Sequence, residues 1–211
     1  ITATFNRGHF IESCILSILR QNVKNIEIII IDGLSTDFTY EKIAPLLEKN
    51  NNIKFFSEKD MGIYDALNKG VEKASGDIIG FLHSDDIFYE KNILNHIINK
   101  FEVNDLDGIY GDLQYIDKIN TNKVLRYWQS CEFHKKLLKK GWTPPHPTMF
   151  LKKEIYKKHG KFDLQYKISA DYDFMLRILK DSSIKLNYIP KVITRMRVGG
   201  ISNKNIKNIL L

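Results

Sequence analysis

"IEIIIID" (26–32) sets four isoleucines in a row ahead of an aspartate. A strand with one face in water alternates apolar and polar residues. This one is apolar on both faces, the pattern of a strand buried within a parallel sheet that carries helices on either side. Working outward, "ITATF" (1–5) reads as a strand, and "FIESCILSILR" (10–20) carries Ile11, Ile15, Ile18 and Leu19 at helical spacing. Downstream come a helix from about Thr39 to Leu47, a short strand "IKFFS" (53–57), and a helix "IYDALNKGVEKAS" (63–75). That helix places Ile63, Leu67 and Val71 four apart, with Gly76 as its expected stop. "DIIGFLHSDD" (77–86) closes the pattern as another strand. The alternation predicts an α/β fold: a single, doubly wound, mostly parallel sheet flanked by helices.

After residue 90 the pattern loosens. A helix around Asn92–Phe101 precedes "GIYGDLQYID" (108–117), and a strand is expected at 124–128. A basic helix follows at about 133–140, "TPPHPTMFL" (143–151) enters a strand, and "SADYDFMLRILK" (169–180) is a helix with Phe174, Ile178 and Leu179 on one side. No repeat or linker interrupts the chain. One domain is expected over 1–211, with a half at about 1–90 and a less regular half at about 91–211 doing different jobs.

Composition narrows the function classes. Hydrophobic residues make up 43% of the 211 and charged residues 27%, as in folded globular proteins. No window holds the roughly 18–20 uninterrupted apolar residues that span a bilayer, and the opening residues do not read as a cationic-then-apolar signal peptide, so none is expected. Only Cys14 and Cys131 occur, without CxxC spacing, which excludes a disulfide framework and a structural zinc site and points to a cytoplasmic location. The net charge of +7 is spread over lysines along the whole chain, and no nucleic-acid recognition motif accompanies it, so no nucleic-acid partner is expected. The chain opens on a strand-like run and closes on the apolar "NIKNILL", so further residues are expected at both ends.

In open α/β sheets, ligands bind at the carboxyl ends of the strands. Here Asp32 ends one strand, Asp85 and Asp86 end another, and Asp60 and Asp65 flank the start of an intervening helix. Carboxylates converging on one edge repel unless a cation compensates. A divalent metal holding a diphosphate is the economical solution, since hard cations take oxygen ligands from carboxylate and phosphate together. A Rossmann oxidoreductase would need GxGxxG after the first strand, and a nucleotidyltransferase a Gly-rich phosphate loop there; "TATFNRGHF" has one glycine.

Taken in order, "TATFNR", "IEIIIIDGLSTDFT", "EKDMGIYDALNKG", "SGDIIGFLHSDD" and "ISADYDFMLRI" resemble the family 2 glycosyltransferases, which have the GT-A fold, over roughly residues 1–200. "PPHPTMFL" and "RVGGIS" look like bacterial members that build surface polysaccharides. The resemblance implies transfer of a sugar, with inversion, from a nucleotide diphosphate donor, expected to be a UDP-sugar, to a hydroxyl of a glycan or lipid-linked acceptor. It implies Asp32 on the uracil and ribose, with Thr4, Asn6 and Arg7 lining the same pocket, Asp60 and Asp65 near the ribose, and Asn68 and Lys69 facing it. The family's DXD position falls on His83, Ser84 and Asp85. His83 departs from the pattern by replacing the first acid and is left to bind metal or sugar. Asp85 matches the acid that holds Mn²⁺ or Mg²⁺, and Asp86 orients it or the donor sugar.

Asp171 falls on the family's general base, with Ser169 expected as the helix N-cap and Asp173 pointing elsewhere. His146, between prolines, is a candidate for diphosphate, metal or acceptor, or a structural loop residue. Trp142 is a candidate platform for the acceptor sugar, or a core residue. Arg195, Arg197, Gly199 and Gly200 are candidates for a flap over the phosphates. Lys135, Lys136, Lys139 and Lys140 form a basic patch that would suit peripheral contact with the inner face of a membrane carrying a lipid-linked acceptor. A rival reading is an inactive nucleotide- or glycan-binding module of the same fold, which would have lost Asp85 or Asp171.

Overall fold

The structure, a computed structural model, describes residues 1–199. In chain order its elements are β1 (Thr2–Thr4), α1 (Ile11–Leu19), β2 (Ile28–Asp32), α2 (Thr39–Lys49), β3 (Ile53–Ser57), α3 (Ile63–Lys73), β4 (Ile78–Gly80) and β5 (Ile87–Phe88). There follow α4 (Ile93–Val103), β6 (Gly108–Ile116), β7 (Val124–Trp128), β8 (Phe150–Lys152), α5 (Lys153–His159), α6 (Ala170–Lys180) and β9 (Leu186–Arg197). Two 3-10 turns, Lys135–Lys140 and His146–Thr148, lie between β7 and β8.

β1, β2 and β3 form a parallel ladder in which Thr4 pairs with Asp32 and Asp32 with Ser57, so their ends line up on one edge. A second ladder runs β4-β8-β6-β9-β5, with β7 on β6. The two meet where the Ile1 nitrogen donates to the Gly80 carbonyl (2.8 Å) and Leu82 N–H donates to the Ile1 carbonyl (3.1 Å), the pattern of a parallel neighbour. The expectation of a mostly parallel sheet holds for this first half alone. In the second ladder β6–β9 is parallel, whereas β4–β8, β6–β8, β5–β9 and β6–β7 are antiparallel. A hairpin turn joins β6 directly to β7, and such short connections force antiparallel pairing.

The run 28–31 behaves as its composition requires. Ile28 and Ile30 enter a buried cluster with Ile11, Ile15, Ile43, Ile93 and Ile97 from α1, α2 and α4. Ile29 and Ile31 enter a second cluster with Leu67, Val71, Ile155, Phe174 and Ile178 from α3, α5 and α6. Successive strand side chains point to opposite faces, so one isoleucine run builds two cores. Gly80 is required by close packing: a Cβ there would lie 2.3 Å from the Phe150 ring.

Three local expectations are corrected. α3 ends at Ala74 in extended backbone, and Gly76 instead donates its N–H to the Glu27 carboxylate (2.8 Å). The basic helix is a 3-10 turn whose four lysines are exposed and whose Leu137 and Leu138 are half-buried. Ser169 does not cap α6: its backbone is left-handed (φ 74°) and its side chain makes no capping bond. Among the described residues no helix is long and apolar enough to cross a membrane.

Candidate active site

The ends of β1 and β2 are knitted together by side chains. Asp32, 3% exposed, accepts from Ser35 N–H (3.0 Å), Ser57 Oγ (2.7 Å) and Ser35 Oγ. Asn6 has a left-handed backbone (φ 51°), and its Oδ1 accepts from Thr36 N–H (2.9 Å) and Asp37 N–H (3.3 Å). Arg7 N–H donates to Thr39 Oγ1 (2.9 Å), which fixes the segment that carries its guanidinium. Thr4 is buried on the same strand end, its hydroxyl unpartnered among the described residues.

The segment before α3 comes against this edge because Gly33 has no side chain; a Cβ there would sit 2.5 Å from Asp60 Oδ2. Asp60 accepts from Gly62 N–H (2.9 Å) and Asp65 from Met61 N–H (3.0 Å), so both acids shape the loop that enters α3. Lys69 pairs with Asp65 (3.4 Å) and donates to the Lys59 carbonyl (2.6 Å).

Asn68 does not face this pocket. It is buried, and its amide is committed in both directions to the backbone of Phe162, donating to the carbonyl (2.9 Å) and accepting from the N–H (2.9 Å). Asn68→Ala is therefore expected to destabilise the fold by about 2 kcal/mol, because two buried backbone groups lose their partner. Urea denaturation that left the midpoint unmoved would contradict that role. Trp142 is likewise engaged in packing: Phe133 stacks on it at 6.1 Å between centroids, and Tyr110 meets it edge-on at 6.1 Å.

Beyond β4 the acidic loop turns sharply, with Asp86 N–H donating to the His83 carbonyl (2.8 Å). Its two adjacent acids occupy different environments. Asp85 is partly exposed and its Oδ2 lies 3.9 Å from Arg7 Nε. Asp86 is 1% exposed and accepts from Arg197 N–H (3.1 Å); burial, then the charge of Asp85, push its carboxyl well above the usual range. Arg197 is not a flap residue. It is buried at the end of β9 and donates to the Asp85 carbonyl (2.5 Å) and to Ser13 Oγ (3.2 Å), holding the loop from beneath. Arg195 lies earlier on β9 over the Tyr89 ring (4.7 Å), while Gly200 and the chain beyond it lie outside the described residues. Ser84 is buried within the loop.

Asp171 sits in the first turn of α6 and accepts a hydrogen bond from the Tyr64 hydroxyl (2.8 Å), which itself accepts from Ser169 N–H (3.1 Å). Burial and the Asp171 charge raise the Tyr64 pKa, so the phenol stays a donor. Asp173 points away and pairs with Arg177 (2.9 Å). Sequence reasoning missed Tyr64, although Tyr64 and Asn68 are one helical turn apart on α3 and meet the same 162–171 segment.

His83 and His146 complete the floor. Their rings are 6.1 Å apart, and His146 also packs on Phe81 (5.4 Å) and Phe162 (5.5 Å). Neither His83 Nδ1 nor His146 Nε2 has a partner among the described residues. Burial lowers both pKa values, that of His146 to about 4, and the nearby Asp171 charge only partly opposes this. The unfolded chain then takes up a proton below about pH 6.5 that folded His146 accepts only near pH 4. The stability from this difference is present above pH 6.5 and lost as pH falls through that window, on the order of 3 kcal/mol at full extent. A melting temperature that falls with pH in wild type and falls less in His146→Phe is the expected result; parallel profiles would contradict it.

Among the described residues no three His, Cys, Asp or Glu side chains gather to hold a metal. Asp85 faces the adjoining cavity while Asp86 is sealed, so the residues fit a hard cation that takes one carboxylate here and its other oxygens from phosphate and water.

The sequence profile described as "Glycosyl transferase family 2" matches residues 1–160. A "PGL/p-HBAD biosynthesis glycosyltransferase" of Mycobacterium bovis is 30% identical over 209 residues, covering 96% of this chain and 78% of that protein. Among solved structures, S. aureus TarS 1-349 in complex with UDP-GlcNAc aligns with a TM-score of 0.75 at 15% identity, over 96% of this chain and 58% of TarS 1-349. The mannosyltransferase PcManGT of Pyrobaculum calidifontis, in complex with GDP-Man and Mn²⁺, aligns with a TM-score of 0.70 at 16% identity, over 96% of this chain and 57% of its own. The chain thus spans less than two thirds of either solved chain, and these two likenesses are likenesses of fold. The chain belongs to glycosyl transferase family 2, has the GT-A fold and is a glycosyltransferase.

Proposed function

We propose that this glycosyltransferase is inverting and metal-dependent, and moves a sugar from a UDP-sugar to a hydroxyl of a glycan or lipid-linked acceptor in bacterial surface polysaccharide synthesis. The observation that carries the chemistry is Asp171, held at the start of a helix by Tyr64 through Oδ1. Oδ2 is then oriented to take the acceptor's hydroxyl proton as that oxygen attacks the anomeric carbon. The bond to the diphosphate oxygen breaks in the same displacement, and the nucleoside diphosphate leaves. No covalent sugar–enzyme intermediate forms.

Asp85 would hold the divalent cation together with the donor's phosphates; the ion, when bound, stabilises charge on the leaving diphosphate. Asp32, Thr4, Asn6, Arg7, Asp60, Asp65 and Lys69 would surround the nucleoside end. UDP is favoured by the resemblance to the family; of the two neighbours in fold, TarS is seen with UDP-GlcNAc and PcManGT with GDP-Man, so both nucleotides enter the test. The residues 1–90 would form the donor half and the rest the acceptor half of one domain. The exposed lysines of the 135–140 turn would meet the inner membrane surface.

The test is a panel of UDP- and GDP-sugars with Mn²⁺, followed by NMR of the product. Transfer from a UDP-sugar with inverted anomeric configuration is expected. Retained configuration would refute single displacement, and transfer from GDP-sugars alone would refute the UDP assignment.

A further inference from the structure

A cavity of about 140 Å³ opens beside the acidic loop, walled by Arg7, Phe10, Asp85, Lys118 and Arg197 among others. Lys118 has no counterpart in the motifs above. It comes from the β6–β7 hairpin, whose turn is fixed by Asp117: Oδ1 accepts from Ile119 N–H (2.9 Å) and Asn120 N–H (2.9 Å), and Asp117 N–H donates to the Lys123 carbonyl (2.9 Å). The turn sets the Lys118 ammonium 5.4 Å from the centre of the Phe10 ring. The Arg197 guanidinium lies 5.4 Å from the same centre, so one aromatic ring gathers two cations from the adjoining ends of the parallel pair β6 and β9, where Ile116 is the register partner of Arg197. Arg7 supplies a third, 3.9 Å from Asp85.

Three cations facing one cavity-side carboxylate, with Asp86 buried behind Arg197, leave positive charge on this wall that an anion in the space between them would offset. The shape of the charge also bears on His83. The loop offers one exposed carboxylate where the family's motif offers two, and it faces side chains able to neutralise phosphate directly.

We infer that Lys118 is a donor-binding residue: with Arg7 it grips the diphosphate of the nucleotide-sugar opposite Asp85, while Arg197 holds the acidic loop from beneath and adds its charge to the same wall. The inference rests on the donor reading above and adds a residue and a mechanism to it. Side-chain cations share the charge of the departing diphosphate, so part of the affinity persists without a divalent metal.

The experiment is calorimetric titration of UDP and of inorganic pyrophosphate, each with Mn²⁺ and with EDTA, at two salt concentrations. The proteins are wild type, Lys118→Gln, Lys118→Arg and Lys123→Gln, the last removing a neighbouring lysine of the same hairpin. Lys118→Gln is expected to weaken UDP about tenfold with Mn²⁺ and to abolish the weaker binding that wild type keeps in EDTA. Its affinity should also depend less steeply on salt, which a merely structural role would not produce. Lys118→Arg should stay within about threefold of wild type and Lys123→Gln should match it. Unchanged binding in Lys118→Gln, or equal weakening in Lys123→Gln, overturns the inference while leaving the donor reading intact. Pyrophosphate binding that depends on Lys118, in a protein that binds no nucleotide, would uphold the diphosphate grip and overturn the donor reading instead.

Discussion

Asp171→Asn is expected to leave UDP binding intact and to lower turnover about 10²- to 10⁴-fold, the usual worth of a general base. The substitution keeps the shape of the side chain and an oxygen that can accept from Tyr64, so the start of α6 is not expected to move. What it removes is the ability to take a proton. Loss of a negative charge near a helix N-terminus costs only some tenths of a kcal/mol, roughly 0.3–1, which separates the catalytic effect from a folding defect. The check is paired: UDP release from the best donor of the sugar panel, and calorimetric UDP affinity of the same sample. Near wild-type release by the variant would move the base elsewhere in the site.

Asp85→Ala is expected to weaken UDP binding about 10²-fold in Mn²⁺ and to change it little in EDTA, so that the two conditions converge. Physically, the variant loses the one carboxylate of the loop that faces the cavity, and it frees Arg7, now 3.9 Å away, to approach phosphate. Asp86 is no substitute. Its carboxyl is sealed under Arg197, and burial together with the Asp85 charge favours its neutral form. Two adjacent acids are tolerated because one is exposed beside an arginine and the other is buried. If the metal-dependent difference survived intact in Asp85→Ala, the metal would have to bind elsewhere.

Much of the first half was legible because the physics there is local. A strand buried on both faces announces itself by composition, as 28–31 does, and 53–57 coincides with β3; in the second half 124–128 coincides with the exposed strand β7. β9 escaped notice because Asn187, Pro190 and Lys191 interrupt its apolar residues, and a proline usually argues against an interior strand. Its pairing with β6 tolerates this through register shifts between Tyr110 and Leu113. β5, at two residues, carries no period at all.

The site divides the same way. Asp32, Asp85, Asp86 and Asp171 were visible as acids at element ends in a family order. Ser169 and Asn68 were misread because their local setting invited a cap and a pocket residue. The left-handed backbone of one and the Phe162 clamp of the other are tertiary facts. Tyr64 and Lys118 reach the site only through contacts between distant segments, which no spacing rule reports.

The most direct test of donor use is calorimetric titration of the wild-type chain with UDP, GDP and dTDP, each in Mn²⁺ and in EDTA. Tight UDP binding that weakens strongly in EDTA, without vanishing, is the expected result. Failure of all three nucleotides to bind a folded sample would contradict the account and favour a module that has lost its donor site.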